Sequence, residues 1–230
     1  MYYYGFDPTY ILLIIGMLLS LAASAKLKST FAIYRRMESA SGMTGAQAAQ
    51  RILRNAGVYD VRIEPISGEL TDHYDPRTKT VRLSEPIYNK TSLAAVGVAA
   101  HECGHAIQHA TNYAPLNLRS AIVPIANLGS TLSWPLFLAG LIMSFRPLLT
   151  AGILLFTAAV LFQLVTLPVE INASSRALKL LNADGILAPQ EVRGAKKVLT
   201  AAALTYVAAL AGSILQLLRL LILAGGRDRD

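Results

Sequence analysis

The sequence predicts a mainly α-helical membrane protein, with about four transmembrane helices and a small α+β cytoplasmic portion. Its 230 residues are 53% hydrophobic and only 15% charged, a balance that is unusual for a soluble domain. The apolar residues are gathered into four long blocks, each close to the roughly 20 residues that cross a bilayer. Most of the Lys and Arg residues lie between those blocks, as expected for loops on one side of a membrane.

The first predicted span covers about residues 10–25 of an N-terminal anchor, residues 1–27. This segment lacks the basic start and the convincing cleavage site of a secretory signal, so we expect it to be retained. Tyrosines flank it where an interfacial aromatic belt would lie: Tyr2, Tyr3, Tyr4 and Tyr10.

The second and third predicted spans, near residues 121–143 and 148–167, are separated by only four residues. So short a connection predicts an antiparallel hairpin over residues 121–167. The fourth span is predicted near residues 199–223, within a C-terminal segment of residues 199–230.

The cationic residues predict the orientation. Residues 26–120 and 168–199 together hold 17 of the 21 Lys and Arg residues. The positive-inside rule therefore places the segments 28–120 and 168–198 in the cytoplasm, and both termini outside the cell membrane.

Charge and cysteine content exclude other classes of protein. The net charge is +7, but the cationic residues are dispersed and have no aromatic-rich basic platform, which argues against nucleic-acid binding. Membrane topology accounts for the excess better, so the expected partner is the lipid bilayer. Cys103 is the only cysteine, so no intrachain disulfide is possible.

Within the first cytoplasmic segment, residues 28–56 are predicted to be helical, with a break and a cap at Ser41–Thr44 and a stop at Gly57. A second helical stretch is predicted from Ser92 to about Ala114, where Pro115 ends it or begins a new helix.

Between those helices the pattern changes to the period of a β-strand. Residues 61–66 and 80–83 alternate like half-buried strands. Residues 72–77, which contain Asp, His, Tyr and Pro, are predicted to form a turn.

The strongest motif is His101-Glu102-Cys103-Gly104-His105. Residues four apart on a helix project from one face, so His101 and His105 can bind one ion. Glu102 lies about 100° round from His101, close enough to contact a metal-bound water without ligating the metal. Zinc lowers the pKa of such a water to about 7 and a glutamate takes its proton, so the spacing predicts metal-assisted hydrolysis. Gly104 leaves space where a substrate could approach, and we expect Cys103 to face away from the metal.

A catalytic zinc needs a third protein ligand. Glu170 is the strongest candidate, because it is the first carboxylate after the hairpin returns to the cytoplasmic face. Asp184 is the alternative, since Asn182-Ala183-Asp184-Gly185 is faintly like the ligand motif of site-two-type intramembrane proteases, although a helix-ending turn also explains it. His109 lies about 80° round and roughly 12 Å along the helix from His101, too far for the same site, and His73 lies in a polar turn.

Five stretches carry further sequence motifs: residues 72–76, 81–84, 99–109, 168–177 and 201–207. Together they resemble the YugP-like family of neutral zinc metallopeptidases, over nearly the whole chain. The resemblance implies a zinc-dependent integral membrane peptidase with a zincin-like cytoplasmic portion, distantly similar to the HtpX/Ste24 type of gluzincin. It implies Zn²⁺ as cofactor, His101, His105 and Glu170 as its ligands, and Glu102 as the catalytic base.

The chain departs from the HtpX/Ste24 pattern in one respect. Those enzymes have an aspartate four residues after the ligand glutamate, where it supports a zinc-binding histidine. This chain has Ser174 at that position, so we expect Ser174, Asn172 or another residue to provide the support. The resemblance also suggests that residues 80–84 form an edge strand beside the motif helix, to which a peptide could add.

The resulting hypothesis is a membrane-embedded zinc endopeptidase that hydrolyses peptide bonds of protein or peptide substrates at the cytoplasmic membrane face. Tyr206, Arg176 and His73 are the candidate donors to the oxyanion. Two alternatives are a non-catalytic, zinc-stabilised membrane scaffold or adaptor and a site-two-type intramembrane protease. A membrane-protein partner or a homo-oligomer is compatible with the sequence.

Overall fold

The computed structural model of the protein describes residues 7–225. Over this range the chain forms seven α-helices and three β-strands. The predicted aromatic belt at Tyr2–Tyr4 lies outside the described residues, as do the two arginines of the C-terminal tail. In chain order the elements are α1 (Tyr10–Tyr34), α2 (Gly45–Asn55), β1 (Arg62–Ile66), β2 (His73–Asp75), β3 (Thr80–Ser84), α3 (Glu85–Tyr88), α4 (Leu93–Ala110), α5 (Ala114–Ile142), α6 (Arg146–Ala183) and α7 (Pro189–Gly225).

Four helices of the described chain, α1, α5, α6 and α7, are long and apolar enough to cross a membrane. The number of candidate membrane-spanning helices therefore equals the predicted four. Each helix extends beyond its predicted span, because a helix does not end where its apolar stretch ends. The largest extension is in α6, which continues from the predicted end at residue 167 to Ala183.

The chain divides into two compact units, and all four long helices, α1, α5, α6 and α7, contribute residues to both. The apolar unit comprises the chain up to Ser24, Leu118–Leu167 and the chain from Thr205 onward. The sheet unit comprises Ala25–Asn117 and Pro168–Leu204. The histidine motif and Glu170 therefore belong to the same unit.

The sheet unit contains a three-stranded sheet in the order β1-β3-β2. β1 is parallel to β3, and β2 is antiparallel to it. The predicted strands at 61–66 and 80–83 are thus confirmed, but the predicted edge position of residues 80–84 is wrong, because β3 is the central strand. β1 and β2 form the two edges.

The predicted turn at residues 72–77 is confirmed in part: residues 76–79 form a turn, but residues 73–75 before it form the short strand β2. Tertiary contacts favour the extended conformation here. The Asp72 carboxylate accepts hydrogen bonds from the backbone N–H and the hydroxyl of Ser84, at 2.7 and 2.9 Å. Asp75 accepts a hydrogen bond from Arg82 on β3 at 3.1 Å. These bonds fix β2 against β3, which local turn propensity alone does not indicate.

The helices α2 and α4 begin at the predicted positions, but α4 ends at Ala110, before the predicted end near Ala114, and Pro115 lies at the start of a new helix, α5. Thr44 caps α2 through a reciprocal pair of hydrogen bonds with Gln47, a capping box, and Gly57 follows that helix with a φ of +72°. Ser92 caps α4 by accepting a hydrogen bond from the backbone of Ala95. The predicted helix over residues 28–56 is interrupted between Tyr34 and Gly45.

The α4 helix lies at the centre of the sheet unit's core, and most of its side chains are buried. Its small residues allow close packing on several sides, and a Cβ atom added at Gly97 would lie 3.3 Å from the Cβ of Ala195 on α7. Buried side chains from the surrounding elements complete the core: Ile52, Leu83, Leu181, Ile186 and Leu199.

Candidate metal centre

His101 and His105 lie one turn apart on α4, as their spacing predicts. Their rings meet edge to face, with centroids 4.7 Å apart and an interplanar angle of 84°. The side chains are 15% and 11% exposed, so the pair is largely shielded from solvent and still reachable from it.

Glu170 on α6 completes a triad with the two histidines. Its Oε2 atom lies 3.3 Å from Nε2 of His101 and 3.4 Å from Nε2 of His105. Among the described residues, these three side chains form a cluster whose ligand atoms all lie within 4.8 Å of one another. The sequence separation of 65 residues between His105 and Glu170 is closed by packing α6 against α4.

Gly104 makes this close approach of α6 possible. A Cβ atom at Gly104 would lie 2.6 Å from the carbonyl oxygen of Ala173 and 3.1 Å from its Cα. The space beside Gly104 is therefore filled by the α6 backbone, and the expectation that a substrate would approach there is wrong. Glycine at this position brings the two ligand-bearing helices together.

The second nitrogen of each imidazole has its own partner. Nδ1 of His101 lies 3.1 Å from the Ser174 hydroxyl, and Nδ1 of His105 lies 3.0 Å from Oε1 of Gln108. Both Nε2 atoms are directed at Glu170 as a result. Contacts of this kind orient metal-binding histidines in proteins.

The charges of the site favour a cation. Burial of the His105 imidazole by itself lowers its pKa, but the hydrogen bond to Glu170 and the negative charge of Glu102 and Glu170 raise the pKa overall. The same carboxylates that stabilise a proton on His105 stabilise a metal ion beside it. Two imidazole nitrogens and one carboxylate oxygen are a donor set that suits zinc and leave one coordination position for water or substrate.

Comparison with known proteins agrees with this donor set. Residues 9–225 match the model of a family described as "Putative neutral zinc metallopeptidase". The chain belongs to this family. It is 50% identical over 213 residues to a Bacillus subtilis (strain 168) protein named "Putative membrane protease YugP", which covers 92% of this chain and 95% of that protein. No solved structure matches the chain.

Family membership identifies the cofactor as zinc, and the cluster of His101, His105 and Glu170 fits that metal. It also places the chain among peptidases, a class of hydrolases. The name of the relative and the four long apolar helices agree with a membrane protein. The resemblance inferred from the sequence motifs is thereby confirmed.

Glu102 and Cys103 follow His101 on α4 and have different surroundings. Both residues are buried, and the negative charge of Glu102 acts on His105. The Cys103 sulfur lies 3.6 Å from the carbonyl oxygen of Ala49 on α2, and burial raises the pKa of its thiol. Cys103 is thus a packed side chain, directed at α2.

His109 and His73 lie outside the triad. The Tyr74 hydroxyl is 2.8 Å from Nδ1 of His109, and burial, with Asp60 and Asp75 nearby, raises the pKa of Tyr74 to about 12. The phenol therefore stays protonated and shares a hydrogen bond with His109. His73 donates from Nδ1 to the carbonyl oxygen of Thr71 at 2.8 Å.

Asp184, the alternative third ligand, is also absent from the cluster found among the described residues. It follows the last residue of α6, Ala183, in a turn that Gly185 closes with a φ of +59°. Its carbonyl oxygen accepts a hydrogen bond from Arg51 at 2.7 Å. The helix-ending turn that the sequence also allowed is what forms.

The other two candidate oxyanion donors occupy different surroundings. The Nε–H of Arg176 donates to Oδ1 of Asn172 at 2.8 Å, and its guanidinium lies over the Tyr113 ring at 5.7 Å from the centroid. Tyr206 lies on α7 in the apolar unit and is 38% exposed. A role for Arg176, Tyr206 or His73 at an oxyanion stays a prediction.

Gln108 is the residue of the site that the sequence did not single out. It is fully buried and contacts His105. Its position three residues after His105 on the same helix was a usable signal, since such pairs share a face. Ser174, one of the two named candidates for histidine support, does contact His101.

Proposed function

We propose that the protein is a membrane-embedded zinc endopeptidase that hydrolyses peptide bonds at the cytoplasmic face of the cell membrane. The observation that carries the proposal is the convergence of His101, His105 and Glu170, with Glu102 adjacent on the same helix. Membership of a zinc metallopeptidase family supports the reaction class.

In this proposal His101 and His105 would hold the zinc through Nε2, and Glu170 would hold it through its carboxylate. Zinc bound there would polarise the substrate carbonyl and lower the pKa of a bound water to about 7. The Nδ1 contacts of the two histidines hold the rings in the binding orientation, so little reorganisation accompanies binding.

Glu102 is the proposed general base. It accepts a proton from the attacking water, then donates that proton to the amine that leaves as the peptide bond breaks. Its buried position favours proton transfer, since water competes less for the carboxylate there. A structural zinc site has no need of such a glutamate, which favours catalysis over a scaffold role.

The charge distribution supports the cytoplasmic placement. We propose that residues 28–120 and 168–198 face the cytoplasm, and that residues 1–27, 121–167 and 199–230 are the membrane segments. Of the 21 Lys and Arg residues, 17 fall in the regions 26–120 and 168–199. Cysteine-accessibility labelling of residues introduced into these segments, on a Cys103→Ser background, tests this orientation.

Substitution Glu102→Gln tests the mechanism. The isosteric amide cannot accept the proton, so we expect proteolysis of casein by the detergent-solubilised protein to fall by about 100- to 10,000-fold. Zinc content, measured by mass spectrometry of the purified protein, should stay equal to that of the parent because Glu102 is not a ligand.

Glu85→Gln is the matched control, since Glu85 is an exposed glutamate on α3 and should keep full activity. Cleavage by Glu102→Gln at the parent rate contradicts the mechanism. A parent protein that binds zinc but cleaves no peptide or protein substrate contradicts the enzyme assignment and favours the scaffold.

A further inference from the structure

Gln108 is a fully buried amide whose polar atoms all contact partners in the site. Its Oε1 lies 3.0 Å from Nδ1 of His105, and the side chain is 0% exposed. Its Nε2 donates to the carbonyl oxygen of Val169 at 2.8 Å and to Oδ1 of Asn172 at 3.0 Å. A buried amide persists only where such partners exist.

The partners of Nε2 determine which way the amide faces. The carbonyl oxygen of Val169 can only accept, so the NH₂ group of Gln108 must face it. Asn172 gives the same result, because its Oδ1 also accepts from Nε of Arg176 at 2.8 Å, and a guanidinium only donates. Two independent contacts on α6 therefore direct the oxygen of Gln108 at His105.

An oxygen directed at Nδ1 of His105 requires a proton on that nitrogen. The neutral imidazole then has its lone pair on Nε2, the atom that lies 3.4 Å from the Glu170 carboxylate. His101 differs, because its Nδ1 partner is the hydroxyl of Ser174, which can donate or accept. Of these two histidines, only His105 has a tautomer that its neighbours determine.

We propose that Gln108 is a positioning residue that holds His105 in the tautomer able to bind zinc, and that Val169, Asn172 and Arg176 orient Gln108 for this task. The inference rests on the proposed role of His105 as a zinc ligand. The chain of contacts runs from α6 back to α4, so the helix that supplies Glu170 also determines the binding form of His105.

The test is the zinc dissociation constant of the full-length, detergent-solubilised protein, measured by competition with a fluorescent zinc chelator. Gln108→Leu removes the acceptor, and we expect zinc affinity to fall by about 10- to 100-fold. Gln108→Met also removes the acceptor but keeps the length of the side chain, so its affinity should fall by a similar factor.

Gln163→Leu is the matched control. Gln163 is a partly buried amide on α6 that donates to the Ser213 hydroxyl at 2.8 Å within the apolar unit. Its loss should leave zinc affinity unchanged. Gln108→Leu with the parent's affinity overturns the proposal, and so does Gln108→Met with the parent's affinity, which would indicate packing alone.

The ¹⁵N spectrum of the zinc-loaded parent, labelled at histidine, provides a readout that does not depend on a variant folding. We expect zinc at Nε2 and a proton at Nδ1 of His105, and a zinc-bound His105 coordinated through Nδ1 overturns the proposal. A parent that binds no zinc would instead contradict the proposed function, so the two failures are distinguishable.

Discussion

The sheet unit and the apolar unit each bury an ionisable side chain in a contact between distant parts of the chain, but the partners of the two side chains differ. In the sheet unit, Glu170 lies against the Nε2 atoms of His101 and His105. In the apolar unit, Arg219 on α7 is 6% exposed. Its guanidinium lies 3.6 Å from the Asp7 carboxylate and 4.5 Å from the centroid of the Tyr10 ring.

Small residues permit close approach in both units. Gly104 meets the backbone of Ala173 in the sheet unit, and Gly16 of α1 meets Gly212 of α7 in the apolar unit, where an added Cβ would lie 3.1 Å from Cα of Gly212. The chemistry of the two units differs. In the sheet unit two imidazoles and a carboxylate converge, and these groups favour binding of a metal cation. In the apolar unit the positive charge is already supplied by the Arg219 side chain.

The largest expected effect tests whether Glu170 supplies the third ligand. Glu170→Gln replaces an anionic oxygen donor with a neutral amide, so zinc affinity should fall by more than about 100-fold, the upper range for residues that only support a ligand. Equilibrium dialysis against zinc buffers measures it. Asp184→Asn is the control and should bind zinc like the parent, whereas the reverse pattern would favour the site-two-type architecture.

The second prediction compares helix contacts in the two units. A Cβ atom would lie 2.6 Å from the Ala173 carbonyl oxygen at Gly104, and 2.4 Å from the Leu155 carbonyl oxygen at Gly129 on α5. Both oxygens belong to backbone, which cannot move aside as a side chain can. Substitution of either glycine by Ala should therefore cost about 1–3 kcal/mol of stability, measured by thermal unfolding in detergent.

Zinc affinity separates these two variants. Gly104→Ala displaces α6 from α4, so Glu170 moves away from the histidines and zinc binding should weaken with stability. Gly129→Ala disturbs a contact of α5 with α6 inside the apolar unit and should leave zinc affinity as in the parent. Equal loss of affinity in both variants would mean that the two units do not behave separately.

The local parts of this structure could be predicted from the sequence, because local rules determine them. The caps at Thr44 and Ser92 and the one-face spacing of His101 and His105 depend on residues within one or two turns. Strand β2 was missed, because its pairing depends on Asp72 and Asp75 binding residues of β3. Turn-rich composition carries no information about such distant partners.

The candidate metal centre also combines features that follow from general rules with features that depend on distant contacts. Glu170 was reached because the predicted hairpin returns the chain to one membrane face, which is a rule of topology. The role of Gln108 could not be reached that way, since it depends on the Val169 carbonyl and on Asn172, over 60 residues later. Open space was predicted beside Gly104 because the sequence does not reveal which backbone segment approaches this residue.

The smallest expected effect concerns Arg219. Its contacts with Asp7, Thr9 and Tyr10 join the start of the described chain to the end of α7, and hydrogen bonds and cation–π contacts of this kind contribute about 1 kcal/mol. Arg219→Leu should therefore lower thermal stability slightly and leave zinc affinity unchanged.

Asp7→Asn should destabilise less in the Arg219→Leu background than in the parent, because the shared ion pair is already lost. Additive effects would show that this pair contributes nothing, and a loss of zinc affinity would show that the apolar unit influences the metal centre.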